Sequence, residues 1–375
     1  MSKYLLIDDD AYKGWAQVLK AIIIKEIGPD VVIEAAIDKK EADIQLKKEW
    51  DVIFLDLRFG EGDYGRTRPE DLSGAKILRE NIRNRNAVNF ATPVIIFTAS
   101  RKIWNIDRMI DLGADSYFIK ESPYDQPDES FSQLNYLRFV KVIREYLDVG
   151  RKRKYFWNST LQMIKSLNST ISNNNIRKRI EEKLLIAYGF LSGTSREFEN
   201  TNFLFAKEAF AFLVYFSLFE EISKANYARN WKDKTDINWR ILNTDEYLVK
   251  KVEDEDETIE VAIEKSGTSY KKANPIKKYH KDSDLVEYRK WTDNRLSIRE
   301  QIIGLLILKY NYSADKIANF EKLNNKRNLL DFIHSSPTAI LYETFRKNYN
   351  PILVSADCQN MFNFLFEILT FESKF

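Results

Sequence analysis

Five short apolar runs punctuate the first part of the chain: "KYLLI" (3–7), "DVVIEAA" (30–36), "DVIFLD" (51–56), "TPVIIFT" (92–98) and "SYFIK" (116–120). Most are apolar at consecutive positions, the pattern of parallel strands covered on both faces. Between them apolar residues recur at helical spacing, as Ala75, Leu78 and Ile82 do in "GAKILRENIR". Strands alternating with helices predict a doubly wound α/β sheet over residues 1–125.

The pattern changes near residue 150. "YLDVGRKRKYF" carries Gly150 and a basic run, Arg151 to Lys154, and reads as a linker or the start of a new helix. Residues 126–155 are therefore expected to connect two domains. The second, 156–375, is expected to be mainly helical, with stretches at about 155–168, 174–192, 201–225, 283–311, 314–335 and 356–372. "FLFAKEAFAFLVYFSLFEEI" (203–222) is apolar almost all round, which suits a helix inside a bundle or at a subunit interface. Between about 237 and 275, "EYLVKKVEDEDETIEVAIEKSG" alternates apolar and polar residues around the acidic turn Glu253 to Glu257 and predicts an inserted β-hairpin.

Composition narrows the picture only a little. A net charge of +2 argues neither for nor against a polyanionic partner. The single cysteine, Cys358, forbids an intrachain disulfide and fits a reducing compartment. "MSKYLLIDDD" is a short apolar run stopped by three carboxylates, unlike a leader or an anchor, and no apolar run approaches ~18 residues. The expectation is a cytoplasmic protein without a membrane partner.

Ligands of an open parallel sheet bind beyond the carboxyl ends of its strands. The first strand ends in Asp8, Asp9 and Asp10, the third in Asp56, the fourth in Thr98 and the fifth in Lys120. Each residue has an ordinary explanation alone: aspartates cap helices, and threonine favours strands. Together they make an acidic cluster that repels itself unless a cation is present, and hard oxygen ligands favour Mg²⁺. A carboxylate beside Mg²⁺ can attack a phosphoryl group, with a hydroxyl and an ammonium holding its oxygens. Lys120 is expected to pair with Asp56.

"YLLIDDD", "DVIFLDL", "PVIIFTAS" and "GADSYFIK" resemble the receiver domain of two-component response regulators, over residues 3–123. The resemblance implies a flavodoxin-like fold with a five-stranded parallel sheet and a histidine kinase or other phosphodonor as partner. It implies Asp56 as phosphoacceptor and Asp8 with Asp9 as the acidic pair for Mg²⁺. The backbone carbonyl of Arg58 becomes a third ligand, Thr98 the switch hydroxyl, Lys120 the phosphate-contacting lysine and Tyr117 the switch aromatic. Two features depart from the family: Glu121 stands where proline usually follows the lysine, and the loop after Asp56 is long and polar, "RFGEGDYGRTRPEDLSG" (58–74). That loop could be a lid, a partner contact or a neutral insertion.

In the second domain, "NNKRNLLDFIHSSP" (324–337) places Asn324, Arg327, Asp331 and His334 on one helical stripe, opposite Leu329, Leu330, Phe332 and Ile333. Histidine shuttles protons near neutral pH and arginine stabilises phosphorane-like charge, a pair suited to metal-free RNA cleavage. The bland alternative is an exposed polar face with an Arg327–Asp331 ion pair. The motif resembles the Arg-Asn…His signature of HEPN domains, implying Arg327, Asn328 and His334 as catalytic, RNA as a partner and a homodimer. Two outputs stay open: a HEPN-like ribonuclease, or a non-catalytic module that binds a partner protein or itself. No helix-turn-helix placed to read DNA is visible. His280, in "KKYHKDSD", reads as a surface residue.

Overall fold

Each of the five apolar runs forms a strand. In the computed structural model these are β1 (Ser2–Ile7), β2 (Val31–Ala36), β3 (Val52–Leu55), β4 (Val94–Thr98) and β5 (Ser116–Ile119). All pair in parallel, in the order β2-β1-β3-β4-β5. The structure describes residues 1–60, 63, 68–99, 103–120, 129–192, 204–228, 239–252, 257–267, 269–292, 296–329 and 351–371.

Successive strand residues point to opposite faces, so β1, β3 and β4 feed two cores. Leu5, Ile7, Ile53, Leu55, Val94 and Ile96 join one; Tyr4, Leu6, Val52, Phe54, Ile95 and Phe97 join the other. The first is covered by α2 (Lys39–Gln45), α3 (Ser73–Lys76, continuing as a π-helix over Ile77–Ile82) and α4 (Ile103–Asp111), through Ala42, Ala75, Leu78 and Met109. The second is covered by α1 (Trp15–Ile27) and α5 (Glu129–Thr170), through Leu19, Ile23, Phe139 and Ile143. This strand order with helices on both faces is flavodoxin-like, and it puts the topological switch point between β1 and β3.

The chain divides into two compact units, Met1–Asn158 and Ser159–Phe375, and the division falls within α5. Gly150 is helical rather than a break in the chain. A Cβ there would lie 2.7 and 2.8 Å from the Pro93 ring and 3.1 Å from the Asp51 carbonyl, so the glycine lets the helix pass close to the sheet. Two residues of the basic run beside it are likewise structural. Arg153 and Arg83 both bond the buried Asp115 carboxylate. Lys154 donates to the Trp50 carbonyl and pairs with Asp51 at 3.5 Å; burial lowers its pKa more than these partners raise it.

In the second unit the expected hairpin, β8 (Tyr247–Val252) with β9 (Thr258–Ser266), belongs to a larger antiparallel sheet. β7 (Trp239–Ile241) and β6 (Tyr227–Ala228) extend it on one side and β10 (Ser269–His280) on the other. β10 was hidden by its lysines. Lys271 and Lys277 pair with Glu264, and Lys278 with Glu260, charges that suit a strand at a sheet edge. His280 is not a plain surface residue: it is half-buried, with Nδ1 3.0 Å from the Thr258 hydroxyl.

Helices α6 (Asn174–Ser192), α7 (Leu204–Asn226), α8 (Leu285–Thr292), α9 (Ile298–Leu308), α10 (Ala314–Leu329) and α11 (Pro351–Thr370) complete this unit. α7 is mostly buried, in line with the first of the two expectations for it: Phe212, Tyr215, Phe216, Phe219 and Ile222 are buried, whereas Phe210 is exposed. The single helix expected over 283–311 is two. Ser297 and Glu300 form a reciprocal capping box that starts α9 afresh. Among the described residues no helix is long and apolar enough to cross a membrane.

Candidate functional site

The carboxyl ends of β1, β3, β4 and β5 converge. Asp56 N donates to the Ile7 carbonyl at 2.9 Å, tying the residue after β3 to the end of β1. Asp8 N donates to Ala36 O, and Asp8 Oδ1 accepts from Asp10 N, so this carboxylate is fixed by its own turn. Asp8, Asp9 and Asp56 each bring a carboxylate oxygen within 4.8 Å of the others; Asp8 and Asp56 are buried and Asp9 is exposed. Lys120 N donates to the Thr98 carbonyl at 2.8 Å, which seats the end of β5 against β4.

The Lys120 ammonium lies 2.6 Å from both Asp8 Oδ2 and Asp56 Oδ2. It also stands 5.3 Å from the centre of the Phe97 ring. Thr98 is buried at the adjacent strand end. Tyr117 is half-buried two positions inside β5, with the Arg138 guanidinium 4.1 Å from its ring centre. The structure thus brings Asp8, Asp9, Asp56 and Lys120 together, with Thr98 on the neighbouring strand.

Electrostatics follow from burial. Burial pushes the Asp56 carboxyl up to about 6; Lys120 opposes this and Asp8 adds to it. The Asp8 carboxyl is also raised, chiefly by burial and against Lys120. Burial works against the Lys120 ammonium, but Asp56 and Asp8 outweigh it and hold its pKa above the ordinary value. Three carboxylates meet one ammonium among the described residues, which leaves the cluster short of positive charge. That donor set, all hard oxygens on two adjacent strand ends, fits a divalent cation such as Mg²⁺.

The long loop after Asp56 has a stitched neck. Arg58 N donates to Asp56 Oδ1 at 3.3 Å. Phe59 N donates to Asp63 Oδ2 at 3.1 Å and to Ser73 Oγ at 2.9 Å. Ser73 N donates to both Asp63 carboxylate oxygens at 3.1 Å. A Cβ on Gly74 would fall 2.1 Å from the Asp56 carbonyl, so the start of α3 rests on the backbone of Asp56 itself. Nothing in the loop's polar composition distinguished Asp63 and Ser73 from solvated residues. Residues 61, 62 and 64–67 and Glu121 lie outside the described residues.

In the second unit, the polar-stripe expectation is corrected. On α10 the buried stripe runs Ile317, Phe320, Leu323 and Asn324, and Arg327 continues it half-buried. The Arg327 guanidinium lies 4.7 Å from the ring centre of Phe216 on α7. Asn324 and Arg327 therefore turn toward the core, because the apolar residues one turn earlier set which side packs. Asn328 is helical; Asp331 and His334 lie outside the described residues.

No family model matches the chain, and no curated protein matches it in sequence. Solved structures do match, over its N-terminal part. A CheY-like response regulator receiver domain protein from Methanospirillum hungatei JF-1 is 19% identical, covering 40% of this chain and 98% of its own, with a TM-score of 0.29. A two-component response regulator from Clostridium difficile is 23% identical, covering 38% and 97%, with a TM-score of 0.28. The response regulator domain of Thermotoga maritima CheB is 22% identical, covering 40% and 97%, with a TM-score of 0.29. The first unit is similar to CheY-like receiver domains.

Proposed function

We propose that the chain is a response regulator, switched by transfer of a phosphoryl group to Asp56 from a histidine kinase or another phosphodonor. The observation that carries this is the Lys120 ammonium, 2.6 Å from both Asp56 and Asp8 at the mouth of the switch point. Asp8, Asp9, Asp56 and the Arg58 backbone carbonyl would hold Mg²⁺. When bound, the metal would supply positive charge that offsets the repulsion of the carboxylates for an incoming phosphoryl group.

An Asp56 oxygen attacks phosphorus. An O–P bond forms as the bond from phosphorus to the donor's leaving group breaks, and the leaving group keeps that electron pair. Lys120 exchanges part of its pairing with Asp56 for the phosphoryl oxygens, and Thr98 is the hydroxyl to bond them. Intact-mass measurement after acetyl phosphate and Mg²⁺ treatment should show one added phosphate in the wild type and none in Asp56→Asn. A wild type that stays unmodified with Mg²⁺ bound sinks the reading.

For the second unit, the Arg327–Phe216 contact favours a non-catalytic output, a helical module that binds a partner or itself. It gives the guanidinium an internal partner, whereas a HEPN-like ribonuclease needs Arg327, Asn328 and His334 to face a shared cleft. RNA incubated in EDTA with full-length protein should stay intact in both phosphorylation states. Cleavage that disappears in His334→Ala, with folding unchanged, restores the ribonuclease.

A further inference from the structure

The loop neck does more than close an insertion. A peptide unit is planar and trans, so the Arg58 C=O and the Phe59 N–H point in opposite directions. Whatever holds the Phe59 N–H therefore sets the direction of the Arg58 carbonyl. Two acceptors hold it here, Asp63 Oδ2 at 3.1 Å and Ser73 Oγ at 2.9 Å. Asp63 is buried and also takes the Ser73 N–H, so it spans both sides of the neck. The Ser73 hydroxyl has one proton, directed either to the Phe59 carbonyl at 2.6 Å or to Asp63 Oδ2 at 2.5 Å; it accepts from Phe59 in both cases.

The neck is also built hard against the acceptor. Gly74 N donates to the Leu57 carbonyl at 3.2 Å, and Gly74 leaves no space for a Cβ beside the Asp56 carbonyl. From Asp56 to Phe59 the backbone is thus held by Gly74, Ser73 and Asp63 together.

We propose that Asp63 and Ser73 are positioning residues that aim the Arg58 carbonyl into the Asp8/Asp9/Asp56 cluster and so set its affinity for a divalent cation. This rests on the metal-dependent reading above. The long insertion has its physical role at its base: a buried carboxylate and a hydroxyl orient a backbone ligand from behind, as outer-shell groups orient side-chain ligands.

Calorimetric titration of the full chain with Mg²⁺ tests it without any phosphodonor. Ser73→Ala and the double variant Asp63→Asn/Ser73→Ala should raise the Mg²⁺ dissociation constant by about 10-fold, the usual size of an outer-shell loss. Ser73→Thr, which keeps the hydroxyl, should stay near the wild type. The rate of phosphorylation by acetyl phosphate should recover in Ser73→Ala at saturating Mg²⁺, since the residue acts through the metal ligand alone. Hydrogen exchange at Phe59 reports whether the latch is open, and exchange in β4 whether the fold is intact. Faster exchange at Phe59 with unchanged Mg²⁺ affinity overturns the proposal. Where the double variant loses β4 protection, Ser73→Ala decides by the same criterion. A wild type that binds no Mg²⁺ overturns the metal-dependent reading as well. A wild type that binds Mg²⁺, with binding weakened by Asp8→Asn but not by the neck variants, overturns this inference alone.

Discussion

Replacing Asp56 with asparagine should stabilise the first unit in Mg²⁺-free buffer, and only above pH 4. The Asp56 carboxyl is raised from 3.8 to about 6, with burial as the largest cause. A folded-state value above the unfolded one means that the folded protein binds the proton more tightly. Below about pH 4 the group is protonated in both states and costs nothing. As pH rises toward about 6 the unfolded chain gives up its proton first, and stability falls; above that the loss is constant. A shift of about 2 units corresponds to about 3 kcal/mol. Asparagine has the shape of the protonated acid and no charge, so Asp56→Asn should exceed the wild type by about 3 kcal/mol at pH 8 and by almost nothing at pH 4. Lys120, with a raised pKa, stays charged through this window and keeps Asp8 as its partner in the variant. Hydrogen exchange of the slowest amides in β1, β3 and β4 reads the opening free energy of this unit within the full chain. Mg²⁺ should then stabilise the wild type more than the variant and close the gap. Equal stabilities at pH 8, or a difference that does not change between pH 4 and 8, refute the reasoning.

Other perturbations follow from the same contacts. Mg²⁺ affinity should rise as pH increases through about 6 and level off above it, because Asp56 must release its proton to become a ligand; titrations at pH 5 and 8 check this. Gly74→Ala should cost about 3 kcal/mol and weaken Mg²⁺ binding, since its Cβ meets the Asp56 carbonyl; exchange in β3 and calorimetry report the two effects. Arg153→Ala should cost about 3 kcal/mol by depriving the buried Asp115 of one of its two arginines, whereas Arg151→Ala, removing an exposed partner of Asp148, should cost less than about 1 kcal/mol; urea unfolding of each variant separates them.

Elements whose residues speak locally were legible in the sequence. The strands of the parallel sheet announced themselves because their apolar runs are too short for a buried helix such as α7 and are rich in β-branched residues. Asp8, Asp56, Thr98 and Lys120 could be placed because strand ends follow directly from strand limits. Elements defined by a distant partner were not legible. Around Gly150 the sequence left a linker or a new helix open, because the close approach to Pro93 and the buried partner of Arg153, Asp115, lie far away in the chain. β10 was not distinguished as a strand because the glutamates that pair with its lysines sit on β9. On α10 the polar residues Asn324 and Arg327 suggested an outward face, but Phe320 and Leu323 one turn earlier decided the packing side. The single helix expected over 283–311 missed a signal that was present, since Ser297 followed by Glu300 is a helix start.

The contacts of β5 tie the Lys120 end of the site to α5. Lys120 follows β5, and its ammonium is held only as long as Asp56 and Asp8 present their present charge and position. A phosphoryl group on Asp56 adds charge and moves the oxygens that Lys120 must bind, so the free energy of the β5 end differs between the two states. Along its length β5 is bonded to α5: Asn135 donates to the Ile119 carbonyl, Arg138 covers the Tyr117 ring, Tyr146 donates to the Asp115 carbonyl, and Arg153 holds the Asp115 side chain. The contacts at Ile119 and Tyr117 lie toward the Lys120 end of β5, and those at Asp115 lie at the other end, where Arg83 also bonds the carboxylate. An equilibrium shifts only by the difference in contacts between its states, so under the proposed phosphorylation of Asp56 the Asn135 and Arg138 contacts would carry the difference into the helix. The same covalent helix runs on past Asn158 to Thr170, where the second unit has already begun.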